Sequence, residues 1–137
     1  MRTANLKALL LVPMLVLLMA MTKPLVDPEP LLVPAGLSDK AVAKAVLVGV
    51  LQRGWVITRQ DPGYMEATLH LRSHMARIGI NYDTQHVKVR YLDSENLDYE
   101  MKQGVAHIHR NYFNWVNNVV LDINVQLQAA AVDLATG

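Results

Sequence analysis

Cationic side chains recur at alternate positions in the middle of the chain, where they could hold phosphate or carboxylate groups. His86, Lys88 and Arg90 are spaced by two residues. Because side chains alternate between the two faces of a β-strand, this spacing places all three on one face. Arg72 and Arg77 share that face in the predicted sheet. Such a face predicts binding of an anionic polymer, a lipid headgroup or an acidic protein. The alternative is a solvated face whose cations discourage pairing between sheet edges.

Acidic residues are concentrated just after these cations. Asp93, Glu95, Asp98 and Glu100 lie within eight positions. Their spacing lacks the calcium-binding loop pattern, which needs a Gly at the sixth position and a Glu at the twelfth. We interpret the segment as a solvated loop that lies against the basic face and neutralises part of it. A loose calcium site is the alternative.

Five histidines raise the question of a metal or catalytic site. His107 and His109 would diverge on a helix and converge only on an extended segment, and His74 belongs to a predicted turn. The chain has no cysteine, no His-Glu-x-x-His pattern and no Gly-x-Ser-x-Gly elbow. We therefore predict no catalytic residue, no metal site and no cofactor. The alternative is a small enzyme or metal-handling protein that uses these three histidines near Tyr99 and the acidic loop.

Composition divides the chain into two unlike parts. Its 137 residues are 52% hydrophobic, with 13 Lys plus Arg against 12 Asp plus Glu. Much of the apolar excess lies in residues 8–21, and without Arg2 and Lys7 the formal charge of +1 becomes −1. The remainder has the composition of an ordinary soluble domain. Its neutral charge argues against a nucleic-acid partner.

The N-terminal segment has the form of an export signal. Arg2 and Lys7 precede the apolar run at residues 8–21, which Pro13 interrupts. Fourteen residues at about 1.5 Å each fall short of a hydrocarbon core of roughly 30 Å, so a signal peptide is favoured over a spanning helix. Residues 1–21 are predicted to be a signal peptide or signal anchor, which places the body in the periplasm or outside the cell. If the segment stays uncleaved, residues 8–21 hold the protein at the inner membrane, facing the periplasm.

Residues 22–37 carry four of the six prolines, at positions 24, 28, 30 and 34, which favours an extended tether. Residues 38–132 then form one domain, large enough to bury a core.

Helical periodicity is present at both ends of this domain. Ser38 is a good N-cap and Gly54 a good stop for a first helix over residues 39–53. Apolar residues recur at helical spacing in a second helix over residues 108–130, and the segment 93–106 is predicted to be irregular. Four alternating runs between the helices predict strands: Trp55 to Gln60, Tyr64 to Arg72, Met75 to Tyr82 and His86 to Leu92.

Turn lengths fix the register of this meander, since a slip by one residue would exchange the two faces. A two-residue turn at Ser73–His74 predicts Leu69 opposite Ile78, and one at Thr84–Gln85 predicts Ile78 opposite Tyr91.

A three-residue loop at residues 61–63, with Gly63 at its left-handed position, turns Trp55 and Ile57 toward the same apolar face. The predicted fold is an α+β two-layer sandwich: helix, four-stranded antiparallel meander, helix, with both helices on one sheet face.

The same register decides the partners of the cations on the other face. Lys88 lies opposite Asn81 and Arg90 opposite Gly79, so neither has a cross-strand acid. We predict that this face is open.

Two stretches resemble a family of short, functionally uncharacterised envelope proteins of Gram-negative bacteria. They are Tyr91-Leu-Asp-Ser-Glu-Asn-Leu-Asp-Tyr99 and Ile108-His-Arg-Asn-Tyr-Phe-Asn-Trp-Val-Asn-Asn118, and the resemblance covers roughly residues 37–127. It implies a periplasmic α+β domain without a known activity. Many members look like lipoproteins with a Cys after the apolar run; this chain has none, so lipid anchoring is not implied. Phe113 stands where a polar residue is expected.

The leading hypothesis is a non-enzymatic envelope module that binds a protein or an anionic envelope component. It would use the open sheet face or the loop from Asp93 to His107. The candidate binding residues are Arg72, Arg77, Lys88, Arg90, His74, Tyr99, His109 and Tyr112.

Overall fold

The computed structural model describes residues 21–137, so the predicted export segment lies outside the described residues apart from Met21. The described chain folds into two helices and eight strands. In chain order these are β1 (Thr22–Pro24), β2 (Leu31–Leu32), α1 (Asp39–Gln52), β3 (Val56–Asp61), β4 (Tyr64–Leu71), β5 (His74–Tyr82), β6 (His86–Glu95), β7 (Glu100–Lys102), β8 (Val105–His109) and α2 (Arg110–Thr136).

Both predicted helices are present, with different bounds for the second. The Ser38 hydroxyl accepts the Ala41 N–H at 3.1 Å, which caps α1 as expected. The second helix was expected at residues 108–130 but begins two residues later, because Ile108 and His109 belong to β8. It ends six residues later, since its last turns are rich in helix-forming Ala.

The predicted meander of β3, β4, β5 and β6 is confirmed, and it gains a fifth strand. The sheet order is β2-β6-β5-β4-β3, with every pair antiparallel. β2 comes from the Pro-rich segment, where Leu31 lies opposite Val87. The segment predicted to be a tether thus supplies β1 and β2, and both strands pair with strands of the domain.

A second sheet joins β1, β8 and β7 in that order. Residues 93–106 were expected to be irregular, and this was wrong. β6 continues to Glu95, and β7 and β8 form a hairpin whose turn residues, Gln103 and Gly104, both have positive φ. β1 pairs with the other edge of β8, where Thr22 lies opposite His109.

Two of the three predicted strand pairings have the expected partners. β5 and β6 pair in the predicted register at Tyr82 to Val87. Ile57 lies opposite Ala67, also as predicted. The three-residue loop predicted for this hairpin is instead a two-residue turn, because Asp61 pairs with Tyr64. The unpaired residue is Thr58, which forms a β-bulge within β3.

The register predicted for β4 and β5 was wrong by two residues. The turn lies at Arg72–Ser73 rather than at Ser73–His74, so Leu69 pairs with Ala76. Arg72 takes a φ of 56°, which is uncommon for a residue with a Cβ. The sequence therefore gave no indication that the turn begins at this residue. A shift of two leaves every side chain on its predicted face.

One hydrophobic core joins both helices to alternate positions of β4, β5 and β6. The protein is therefore of the α+β class, with two helices packed together and antiparallel sheets. The helices are in close contact at Gly49, where a Cβ would lie 2.7 Å from the backbone of Ile123. The buried core side chains from the strands are Met65, Ala67, Leu69, Ala76, Ile78, Ile80, Val87 and Val89 of β4, β5 and β6, together with Ile108 of β8.

Candidate functional site

The strand residues that alternate with the core positions form the open sheet face. Because side chains on a strand point alternately to the two sides, the pairing assigns this face directly. Its members are Tyr64, Glu66 and Thr68 of β4, Arg77, Gly79 and Asn81 of β5, and His86, Lys88 and Arg90 of β6.

Two of its cations lack an acidic partner. Lys88 lies opposite Asn81 and Arg90 opposite Gly79, as predicted. Within residues 21–137, neither Lys88 nor Arg90 belongs to an ion pair. Arg53, by contrast, lies 2.7 Å from Asp122. Lys88 and Arg90 are both exposed to solution, although Lys88 shares a cleft with Asp83 and contributes to lowering the pKa of that carboxyl group.

A cleft of about 220 Å³ extends this face at the end where β5 turns into β6. Lys88, His86 and Asn81 supply donors to it, and Asp83 supplies an acid. The Asp83 carboxylate accepts the N–H groups of His86 at 2.7 Å and Gln85 at 2.8 Å. These two bonds hold the pKa of Asp83 below its usual value. Asp83 therefore stabilises the turn above the usual Asp pKa and loses that role only as the pH falls through the lowered value.

The centre of the face is covered by an aromatic ring between arginines. The guanidinium carbons of Arg59 and Arg90 lie 5.6 and 5.9 Å from the centre of the Tyr64 ring. The Tyr64 hydroxyl donates to Glu66 at 2.9 Å, and it crosses the sheet directly above Gly79. Cations above an aromatic face are attracted by its quadrupole, so the ring holds Arg90 in place without neutralising it.

We expect Gly79→Ala to dislodge this arrangement. A Cβ at Gly79 would lie 2.9 Å from the Tyr64 hydroxyl and 3.3 Å from the Arg90 Nε, so both side chains must shift. The expected result is weaker anion binding with a stability change of only about 1 kcal/mol, because the displaced atoms are the ends of flexible side chains. Urea unfolding and vesicle binding measure the two effects. Equal binding by the variant and the wild type would show that the position of Arg90 is unimportant.

Sequence reasoning missed Arg59 and Tyr64 as members of this site. Arg59 reaches the face because of the bulge at Thr58. Its guanidinium lies 2.7 Å from Asp61 and 3.9 Å from Glu66, which raise its pKa. A bulge leaves no reliable pattern in a single sequence, so only the Tyr64-x-Glu66 alternation could have pointed to the cluster.

The other two predicted cations, Arg77 and Arg72, differ in their surroundings. Arg77 donates to the Thr68 hydroxyl at 3.2 Å and lies 3.9 Å from Asp93. Arg72 is exposed at the β4–β5 turn. The acidic segment was expected to neutralise the basic face; of its four acids, Asp93 makes the ion pair with Arg77 that the described residues show.

The remaining predicted site residues lie apart from these cations, around the loop after β6. His74 Nδ1 is 2.6 Å from the Asn96 carbonyl, and its ring lies 6.2 Å from that of Trp115. Tyr99 stacks on Tyr91 with centroids 5.1 Å apart and planes 4° apart. These contacts order the loop against the domain.

Tyr112 is buried beneath this stack. Its ring meets that of Tyr91 edge-on at 5.5 Å, and burial raises its pKa far above the usual range. Within the described residues its hydroxyl has no hydrogen-bond partner. Tyr112 is therefore a core residue and is not presented to a ligand on the surface.

His109 lies at the start of α2 and caps that helix. Its Nδ1 accepts the Asn111 N–H at 3.1 Å, as an N-cap does. His107 Nδ1 is 3.0 Å from the Val105 carbonyl. Across the described part of the chain, no group of three or more His, Cys, Asp and Glu side chains is arranged to hold a metal.

We expect His109→Ala to lower the free energy of unfolding by about 1 kcal/mol, because the first turn of α2 loses its side-chain acceptor. His109→Asn keeps an acceptor and is expected to retain most of that stability. Chemical denaturation followed by circular dichroism compares the two variants. Equal losses in both would exclude the capping role.

Comparison of the chain with protein-family models gives no match, and no protein of curated function matches it in sequence. The resemblance to Gram-negative envelope proteins stays a prediction.

Proposed function

We propose that this protein is a non-enzymatic module of the bacterial cell envelope that binds an anionic envelope component through its open sheet face. The single observation that carries the proposal is the pair Lys88 and Arg90, two exposed cations without ion pairs in the described chain. Other exposed cations of the described chain, such as Lys40 and Lys44, also lie outside its ion pairs, but Lys88 and Arg90 occupy successive outward positions of one strand. Unpaired cations on adjacent positions of one face favour an external anion.

In this proposal the domain is a two-layer sandwich with both helices on one side of the five-stranded sheet. Support comes from the core, where helix side chains pack with one set of alternate strand residues. The strand residues between these core positions form the open sheet face, which is then available to bind a ligand. The short cationic start and apolar run of residues 1–21 support export to the periplasm, with anchorage at the inner membrane as the alternative.

The ligand chemistry is a phosphate or carboxylate group carried on a surface or polymer. Lys88, His86 and Asn81 line a cleft of about 220 Å³ that could receive one headgroup or sugar acid. Asp83 also lines it, so we expect the anion to lie on the Lys88 side, away from that carboxylate. Arg90 and Arg77 extend the row of donors across the sheet. Contacts of this kind are screened by salt, so binding is expected to weaken as ionic strength rises.

The test is binding of the purified protein to phosphatidylglycerol vesicles and, separately, to a soluble polyuronate. The variant replaces Arg72, Arg77, Lys88 and Arg90 with Gln. The expected result is salt-sensitive binding by the wild type to one of the two probes and its loss in the variant. The matched control replaces Lys40, Lys44, Lys102 and Arg110 with Gln, which removes the same charge elsewhere. Equal losses in both variants, or wild-type binding to neither probe, would reject the proposal.

A protein partner at the β7–β8 hairpin is the second candidate. Tyr99, Met101 and Val105 are apolar side chains exposed by 45%, 58% and 47%. Exposed apolar groups on a short hairpin suit a protein surface better than a polyanion. Crosslinking in cells from Met101, followed by identification of the attached protein, distinguishes this candidate from the sheet face.

A further inference from the structure

The outer side of α2 carries a regular seam that the open sheet face does not explain. One side of α2 packs in the core through Tyr112, Val116, Val119, Ile123 and Leu127. At 3.6 residues per turn, a second set lies on the opposite side, with spacings that alternate between four and three residues. We name this set the α2 seam: Asn114, Asn118, Leu121, Val125, Gln128 and Val132.

The α2 seam has no charged member. Among the 27 residues of α2 only Arg110, Asp122 and Asp133 are charged, and Asp122 pairs with Arg53 at 2.7 Å. Leu121, Val125 and Val132 are nevertheless exposed by 61%, 59% and 60%. A helix that faces water usually carries charged residues on its outer side. An uncharged seam that exposes aliphatic residues is typical of a side that another element covers.

A second helix could cover this side of α2 along its length. Steps of four and three residues give a mean repeat of 3.5, the period at which two helices keep one seam in contact. By length and mean hydropathy α2 could also cross a membrane, but one side of it is built into the domain core. A helix lying on a membrane surface would carry Lys and Arg beside its apolar stripe, and α2 has Arg110 at its first position and no other cation.

We propose that the α2 seam pairs with the α2 seam of a second copy of this chain, antiparallel and about a two-fold axis. In this register Leu121 of one copy lies opposite Val125 of the other, and Asn118 lies opposite Gln128. Each contact occurs twice, because a two-fold interface is self-complementary. Apolar groups then meet apolar groups at the centre, and amides meet amides on either side, where they fix the register. Asn114 falls opposite Val132 at the two ends, where water still reaches the amide.

The absence of charge favours a second copy over a different partner. Unlike partners commonly select one another by opposite charges beside the seam. In a self-pairing seam a charge close to the axis meets its own copy, which is destabilising. The interface lies on α2 and uses none of the cations of the open sheet face. It goes beyond the proposed function, and an experiment that rejects one of the two proposals leaves the other intact.

Sedimentation velocity of the purified full chain tests the pairing. The wild type is expected to sediment as a dimer. Leu121→Glu with Val125→Glu is expected to give a folded monomer, because both side chains point away from the core and four carboxylates would meet at the axis. Val26→Glu, which changes an exposed apolar residue of the segment between β1 and β2, is the matched control and should remain dimeric. A monomeric wild type, or a dimer that survives the double substitution, would overturn the proposal.

The chain has no cysteine, which allows the register to be tested by disulfide trapping. Copies with Leu121→Cys and copies with Val125→Cys are mixed and oxidised. The antiparallel pairing predicts that the mixed disulfide predominates over either like-with-like product. Preference for the two like-with-like products would indicate a parallel pair and contradict the register. Vesicle binding that requires Leu121 and Val125 in a monomeric protein would assign the seam to a membrane surface instead.

Discussion

The variant with Lys88→Gln and Arg90→Gln is expected to bind an anionic surface about 30-fold more weakly than the wild type at low salt. Each exposed charge contributes about 1 kcal/mol to such contacts, and about 2 kcal/mol corresponds to this factor. Neither side chain belongs to an ion pair within the described residues, and Arg90 loses only its contact with the Tyr64 ring, so the free energy of unfolding should fall by no more than about 1 kcal/mol. Vesicle co-sedimentation at two salt concentrations measures the loss, and the difference between variants should shrink at high salt.

Two matched variants show whether the position of the charge matters. Lys40→Gln with Lys44→Gln removes the same charge from exposed sites on α1 and should leave binding within about twofold of wild type. Arg72→Gln with Arg77→Gln should have an intermediate effect, because Arg77 already lies 3.9 Å from Asp93. Equal losses in all three variants would mean that net charge, and not the β6 pair, controls binding.

Gly49→Ala is expected to destabilise the protein by about 2 kcal/mol. In an exposed helix the same change would stabilise by about 1 kcal/mol, because Ala is the better helix former. Here the new Cβ would lie 2.7 Å from the Ile123 Cα and N. Backbone atoms cannot rotate out of the way, so the two helices must separate and the core beneath them must repack. Gly49→Val adds two further methyl groups and should cost more.

The sign of this effect is the test. Urea unfolding followed by circular dichroism gives the free energy, and Lys44→Ala on the exposed side of α1 provides a control within about 0.5 kcal/mol of wild type. A stabilised Gly49→Ala protein would show that α1 and α2 are not in close contact at this point.

Local patterns in the sequence were sufficient to predict the strands that carry the open sheet face and the first helix packed behind them. Ser38 and Gly54 mark the limits of α1, and the alternation in β5 and β6 sets their register. Lys88 and Arg90 followed from that register, since a strand with a period of two has only two possible faces.

Features that depend on distant partners or unusual backbone were not predictable in the same way. β2 has two residues and β1 three, and each becomes a strand only because β6 or β8 offers an edge for pairing. Thr58 bulges and Arg72 takes a positive φ without the Gly or Asn that usually marks such positions.

The contacts of the histidines were not predictable for a related reason. His109 is a helix cap and His74 bonds a loop carbonyl, contacts that depend on where β8 ends and how the loop after β6 returns. Neither boundary is visible in residue spacing, because residues 93–106 are polar and contain few strand formers. The stacking of Tyr99 on Tyr91 was not predictable either, because it also depends on the path of the loop after β6.

An NMR titration of the ¹⁵N-labelled protein with soluble short-chain phosphatidylglycerol, and in parallel with a polyuronate oligosaccharide, tests the central claim most directly. The account predicts that the largest amide shifts occur between His86 and Arg90 of β6 and at Asn81 and Gly79 opposite, and that they vanish in the Lys88→Gln, Arg90→Gln protein. Shifts confined to the β7–β8 hairpin or to α2, with β6 unchanged, would contradict it.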